Sequence, residues 1–164
     1  MRGILIKLAV FDFDGVFTDN KVYISACGES ARCHRGDGIG LEKLKASGIH
    51  ILIITQEPDG IADKRCAKLG ISCITGSDNK YKNLHQYISK LGILLKETAY
   101  MGNDINDLEC MKAVGVPCCP ADAVPEVKCI AKIITSRVGG DGCVRELCEN
   151  ILVLNSHIYV YQKE

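Results

Sequence analysis

Four glycines punctuate the chain. Gly48-Ile49, Gly70-Ile71, Gly92-Ile93 and Gly115-Val116 each follow an amphipathic stretch, and each opens an apolar, β-branched run. They fall 22, 22 and 23 residues apart, the length of one helix, one strand and their turns. A glycine just past a helix end takes the left-handed backbone that other residues resist. Helix alternating with strand at this spacing predicts βα units and a parallel sheet.

The pattern predicts strands over 6–12, 49–55, 72–75, 98–101, 116–118 and 132–135. It predicts helices over 38–47, 59–69, 80–91, 106–114, 124–129 and 142–152. In the third helix Leu84, Ile88 and Leu91 share one face. Residues 21–25 and 29–34 read as a hairpin turning at Ala26-Cys27-Gly28, and 155–164 reads as a tail whose Ile158-Tyr159-Val160-Tyr161 could add a strand. The fold class is α/β: a doubly wound, mostly parallel, Rossmann-like sheet, as one domain over 1–164.

One strand ends unusually. Leu8-Ala9-Val10-Phe11 is apolar on both faces, as a central parallel strand should be, and it runs into Asp12-Phe13-Asp14-Gly15-Val16-Phe17-Thr18. Two carboxylates at i and i+2 point to one side and repel unless a metal or a proton relieves them. Open α/β sheets place ligands at this carboxyl edge. A Mg²⁺ site is therefore expected here, against the plainer reading of a solvated Asp-Gly turn.

Composition narrows the classes. With 20 basic and 20 acidic residues the formal charge is zero, so the basic excess of a nucleic-acid binder is absent. No run is long enough to span a membrane, and Met1-Arg2-Gly3 leads straight into a strand without a signal layout, as in a free-standing protein. The ten cysteines include no Cys-x-x-Cys and sit in apolar periodic segments, so they read as free thiols of a reducing cytoplasm.

Three further groups fall at predicted strand ends. Thr55-Gln56 follows Ile51–Ile54, where a hydroxyl beside free N–H groups suits a phosphate oxygen. Lys80 opens a helix against the macrodipole, which makes sense if it neutralises a phosphate and a nearby aspartate; Lys82 competes for that role. Gly102-Asn103-Asp104-Ile105-Asn106-Asp107 gathers acids and amides, oxygen ligands suited to Mg²⁺, although Asp104 or Asp107 could simply cap the next helix.

Together these segments resemble, in order, the four motifs of the haloacid dehalogenase superfamily. No stretch between Thr18 and Thr55 or between Thr55 and Lys80 is long enough for a cap domain. The chain is similar to the capless 3-deoxy-D-manno-octulosonate 8-phosphate phosphatases, to nonulosonate 9-phosphate phosphatases, and to the C-terminal domain of acylneuraminate cytidylyltransferases. Gly139-Gly140-Asp141-Gly142 with Arg145-Glu146, Asp37-Gly38-Ile39-Gly40 and Pro120-Ala121-Asp122-Ala123 also resemble segments of that subfamily. The resemblance implies Asp12 as nucleophile, Asp14 as acid and base, and Mg²⁺ held by Asp12, the Asp14 carbonyl and Asp104. Asp107 would support the metal shell or orient Lys80. Gly15, Thr55, Gln56, Lys80, Asn103 and Arg145 would serve phosphate and substrate.

The same resemblance implies a homotetramer in which hairpins cover neighbouring sites. The expected function is Mg²⁺-dependent hydrolysis of a phosphorylated 3-deoxy-2-keto sugar acid. The alternatives are a non-catalytic tetramerisation domain and a phosphatase for another small metabolite. Thr55-Gln56-Glu57 stands where related phosphatases often have Thr-Gly-Arg, Arg35-Gly36-Asp37 departs from Arg-Asp, and Asp141 replaces a frequent arginine. The catalytic core reads as intact and the substrate-reading shell as altered.

Overall fold

The structure is a computed structural model that describes residues 4–58 and 60–161. Its elements run β1 (Leu8–Phe11), β2 (Tyr23–Ser25), β3 (Gly28–Ser30), α1 (Asp37–Ala46), β4 (His50–Ile54), α2 (Ile61–Leu69), β5 (Ser72–Ile74) and α3 (Lys80–Leu91). They continue as β6 (Thr98–Met101), α4 (Leu108–Ala113), β7 (Val116–Cys119), α5 (Pro125–Ile130), β8 (Ile133–Ile134) and α6 (Cys143–Tyr161). Single 3₁₀ turns at Leu95–Glu97 and Ile105–Asp107 precede β6 and α4.

Six strands form one sheet in the order β5-β4-β1-β6-β7-β8, and every pairing in it is parallel. Side chains alternate across it as strand geometry demands. Ala9 and Phe11 of β1, with Ile51 and Ile53 of β4, pack with Leu41 and Leu44 of α1 and Leu147 and Ile151 of α6. Leu8 and Val10, with Leu52 and Ile54, pack with Leu84 and Ile88 of α3, Met111 of α4 and Val127 of α5. The sheet is covered on both faces, so its central strands are apolar throughout. The crossover from β1 to β4 on one side and to β6 on the other makes β1 the topological switch point, and Asp12 lies just beyond its end.

Three of the punctuating glycines, Gly48, Gly70 and Gly92, have φ of +75°, +60° and +65°. Gly115 does not share that conformation; a Cβ there would collide with the Lys96 carbonyl, so close backbone approach excludes a side chain. The hairpin β2–β3 is shorter than expected, because Thr18 and Cys33 bridge its stem singly instead of extending the ladder. Val22, Tyr23 and Ile24 on it are 55%, 55% and 80% exposed. Among the described residues no helix is long and apolar enough to cross a membrane.

The largest correction concerns the C-terminus. The expected tail, with its possible strand over 158–161, is helical, and α6 runs to Tyr161. Leu147, Ile151 and Asn155 at i, i+4 and i+8 are all buried. Asn155 mimics a strand neighbour. Its Oδ1 accepts from Ile6 N at 2.9 Å, and its Nδ2 donates to Ile6 O at 2.8 Å. Residues 1–3 and 162–164, and Asp59 at the expected start of α2, lie outside the described residues.

Replacing Asn155 by Leu would leave both Ile6 backbone groups buried and unpaired. The expected loss is about 2–4 kcal/mol, read from urea denaturation midpoints at constant m-value.

Candidate active site

The site is built at the carboxyl edge of β1, β4 and β6. Phe11, Phe13 and Phe17 are buried, and they stack edge-on (Phe11–Phe17, 5.7 Å between centroids) and face-on (Phe13–Phe17, 5.8 Å). That packing, with Phe17 N donating to Phe13 O at 2.8 Å, closes residues 13–17 into a tight turn. Gly15 supplies φ +79°, and any Cβ on it would strike the Asn103 amide. The turn leaves Asp12 buried and Asp14 half-buried, with Thr18 Oγ1 donating to Asp14 Oδ1 at 3.1 Å.

A second segment braces this turn from behind. Gly140 N donates to Val16 O at 3.0 Å, and Gly139 N donates to Asp122 Oδ1 at 2.9 Å. A Cβ on Gly139 would fall on the Gly15 carbonyl. The Gly-Gly and Ala-Asp-Ala segments thus hold the acid-bearing turn in place.

Lys80, the first residue of α3, is buried between two carboxylates. Its Nζ lies 2.8 Å from Asp12 Oδ1 and 2.8 Å from Asp107 Oδ1. Lys82 is exposed, so the competition between the two lysines is settled by position. Burial pulls the Lys80 ammonium down, but the charges of Asp12 and Asp107 outweigh it and hold it above its ordinary value. Asp12 is pushed up to about 7, first by burial and then by Asp107, against the pull of Lys80 and of Phe13 N.

Asp107 faces away from the cleft. Its Oδ1 accepts from Lys80 and, at 2.9 Å, from the Tyr100 hydroxyl; its Oδ2 accepts from Asn103 N at 3.0 Å and Asp104 N at 3.4 Å. Both of its oxygens are thus taken by donors from the protein, the Lys80 ammonium among them, and neither stands open as the expected metal ligand would. Tyr100 had no sequence signal, because an aromatic in a buried strand reads as core.

The metal expectation can be tested on the oxygens themselves. The Asn103 amide reaches 2.9 Å from the Asp14 carbonyl oxygen and 3.3 Å from Asp12 Oδ2. Turned nitrogen-first, it donates to both. Turned oxygen-first, it completes a cluster of three oxygens that only a cation would hold together. Asp104, expected as the ligand, is half-buried on the cleft wall and accepts from Ile105 N at 2.7 Å, capping the 3₁₀ turn. Among the described residues no three His, Cys, Asp or Glu side chains gather into a metal nest. The donors are carboxylate, carbonyl and amide oxygens, a hard set that fits Mg²⁺.

An open cleft of about 340 Å³ lies in front, lined by Asp12, Asp14, Thr55, Gln56, Asn103 and Asp104, with Asn20, Glu57, Ile105 and Asn106 at its edges. Thr55 is buried at the end of β4, and its Oγ1 accepts from Glu57 N at 3.2 Å. Arg145 is not brought to the cleft. It lies in the first turn of α6 against α1, where its Nε donates to Glu149 Oε1 at 2.6 Å and its backbone N donates to Asp37 Oδ1 at 3.1 Å. Asn20 was given no role from sequence, and Glu57 and Asn106 entered only as members of longer segments, since nothing in a polar loop residue marks which way it faces.

Residues 70–147 match the model of the haloacid dehalogenase-like hydrolases. The chain is 35% identical over 150 residues to 3-deoxy-D-manno-octulosonate 8-phosphate phosphatase of Escherichia coli strain K12, covering 90% of this chain and 80% of that one. It superimposes on the phosphatase of that name from Moraxella catarrhalis, solved with magnesium, phosphate and KDO, at TM-score 0.89 and 34% identity over 96% of this chain and 92% of the other. The cobalt-bound deoxy-D-mannose-octulosonate 8-phosphate phosphatase from Haemophilus influenzae gives TM-score 0.88 and 31% identity over 93% and 90%. The chain belongs to the haloacid dehalogenase-like hydrolases. Within that family these relatives are sugar-acid phosphatases.

Gly139→Ala should lower kcat at least about tenfold and reduce Tm, because overpacking against the Gly15 carbonyl must shift the acid-bearing turn. Phosphate-release kinetics and a thermal melt check both. A second expectation concerns protons. Asp12 is raised from 3.8 to about 7, so in the metal-free protein it favours the folded state below pH 3.8 and loses that contribution as pH rises to about 7. Mg²⁺ binding at pH 6 should then release close to one proton in the wild type and none in Asp12→Asn. Calorimetry in buffers of differing ionisation enthalpy measures the number.

Proposed function

We propose that this chain is a Mg²⁺-dependent phosphatase that hydrolyses the phosphate ester of a 3-deoxy-2-keto sugar acid through Asp12. The observation that carries the reading is the convergence on one cleft of Asp12, the Asp14 carbonyl and the Asn103 amide, with Lys80 behind them. The proposed step is attack of the Asp12 carboxylate on phosphorus as the ester P–O bond breaks. Asp14 gives its proton to the departing alkoxide, then takes one from the water that hydrolyses the aspartyl-phosphate. Thr55 and the nearby backbone N–H groups would hold phosphoryl oxygens, and Lys80 would keep Asp12 oriented while opposing the charge that builds up. Asp12, the Asp14 carbonyl and Asn103, with Asp104 at the rim, would hold Mg²⁺. The ion would supply positive charge where the phosphoryl oxygens gather.

The substrate class rests on the relatives, whose names state octulosonate 8-phosphate, and on the polar cleft. The exposed Val22, Tyr23 and Ile24 support association of copies through the hairpin, as in the tetramer the resemblance implies. They equally favour an assembly role, but a scaffold gains nothing from a buried Asp12–Lys80–Asp107 triad. The ten free thiols support a reducing, cytoplasmic setting.

A panel of phosphorylated metabolites assayed with Mg²⁺ tests the reading. Phosphate release should favour octulosonate 8-phosphate or nonulosonate 9-phosphate, vanish on chelation, and fall about a thousandfold or more in Asp12→Asn. A preference for hexose phosphates would overturn the substrate class, and near-native turnover by Asp12→Asn would overturn the nucleophile.

A further inference from the structure

We infer that Gln56 and Asn106 form a clasp across the mouth of the cleft that reads the hydroxyl groups next to the substrate's phosphate. The inference rests on the phosphatase reading above. Gln56 follows the end of β4, and Asn106 sits in the 3₁₀ turn after β6. These two strands flank β1 on either side, so a link between their loops crosses in front of Asp12 and Asp14. Asn106 Nδ2 donates to Gln56 Oε1 at 2.9 Å, and both residues line the cleft.

That one bond fixes how both amides face. It leaves Gln56 Nε2, a donor, and Asn106 Oδ1, an acceptor, without a protein partner among the described residues. A donor beside an acceptor is the complement of a hydroxyl, which can both accept and donate. An anion is matched poorly, since Asn106 offers it an acceptor and Glu57 adds a negative charge at the same rim. Among the described residues no lysine or arginine lines the cleft. The hydroxylated carbons adjoining the phosphate therefore lie under the clasp. The carboxylate points out of the cleft, away from this chain's own acids. The two amides act as one unit, because removing either frees the other to rotate.

Kinetics of the wild type, Gln56→Ala, Asn106→Ala and the double variant test this with Mg²⁺ present. The substrates are the sugar-acid phosphate preferred by the wild type and p-nitrophenyl phosphate, which has no hydroxyl beside its phosphate. For each single variant the ratio of kcat/KM between the two substrates should fall about tenfold, chiefly through KM on the sugar acid. The double variant should fall little further than either single one. Equal losses on both substrates, which would mark a mere loop brace, would overturn the clasp, as would unchanged ratios or additive losses. If the wild type cleaves neither substrate, the phosphatase reading itself fails.

Discussion

The structure depends on one buried cation. Lys80 sits between Asp12 and Asp107, within hydrogen-bond distance of each, and joins three separate pieces of chain: the end of β1, the start of α3 and the loop after β6. Removing one partner of such a buried group typically costs about 3–5 kcal/mol, because the remaining charge is left uncompensated. Phe13 N and the Tyr100 hydroxyl donate to the same Asp12 and Asp107 oxygens that Lys80 meets, and Asn103 N donates to the other oxygen of Asp107. With both acids ionised the triad still carries one excess negative charge. The Asp14 carbonyl adds a further negative dipole beside Asp12, 2.9 Å from the Asn103 amide. A site of this kind calls for a second cation in front, and that cation, when bound, would supply the positive charge that draws a phosphoryl group there.

Everything around the triad serves either to fix it or to leave access to it. The phenylalanine cluster sets the shape of the turn, and Gly139 and Gly140 press against it so closely that side chains are excluded. Asp37, fully buried, caps the first turn of α6 through Arg145 N, and burial pushes it up to about 6. It thereby anchors the helix that follows the bracing glycines. In contrast, the cleft mouth is built from exposed loop side chains and the hairpin stands clear of the core. The chemistry is held rigidly while the surface that meets the rest of the substrate is left adjustable.

The parts legible in the sequence were those governed by local rules. Apolar runs and helix-end glycines gave the order of strands and helices, and abrupt polar residues at strand ends marked the active edge. Lys80 was legible because a lysine at a helix N-terminus contradicts the macrodipole. The parts the sequence misplaced or left open depend on tertiary partners. Arg145 looked like a substrate residue until α6 turned it toward Glu149. Asp104 and Asn103 are neighbours of similar shape, and only the fold decides which faces Asp12. Asn155 looked like the start of a tail because its partner is a backbone segment 149 positions away. Gly115 matched the glycine pattern for a different reason, a carbonyl pressed against it.

On the proposed mechanism Asp12, held by Lys80, would be the group that becomes phosphorylated. Rapid quenching of the enzyme during turnover of its sugar-acid phosphate, followed by borohydride reduction, converts an aspartyl-phosphate into homoserine. Tandem mass spectrometry then locates that residue. Homoserine is expected at position 12 alone, dependent on Mg²⁺ and substrate. Homoserine at position 14 or 104, or none under conditions where phosphate is being released, would contradict it.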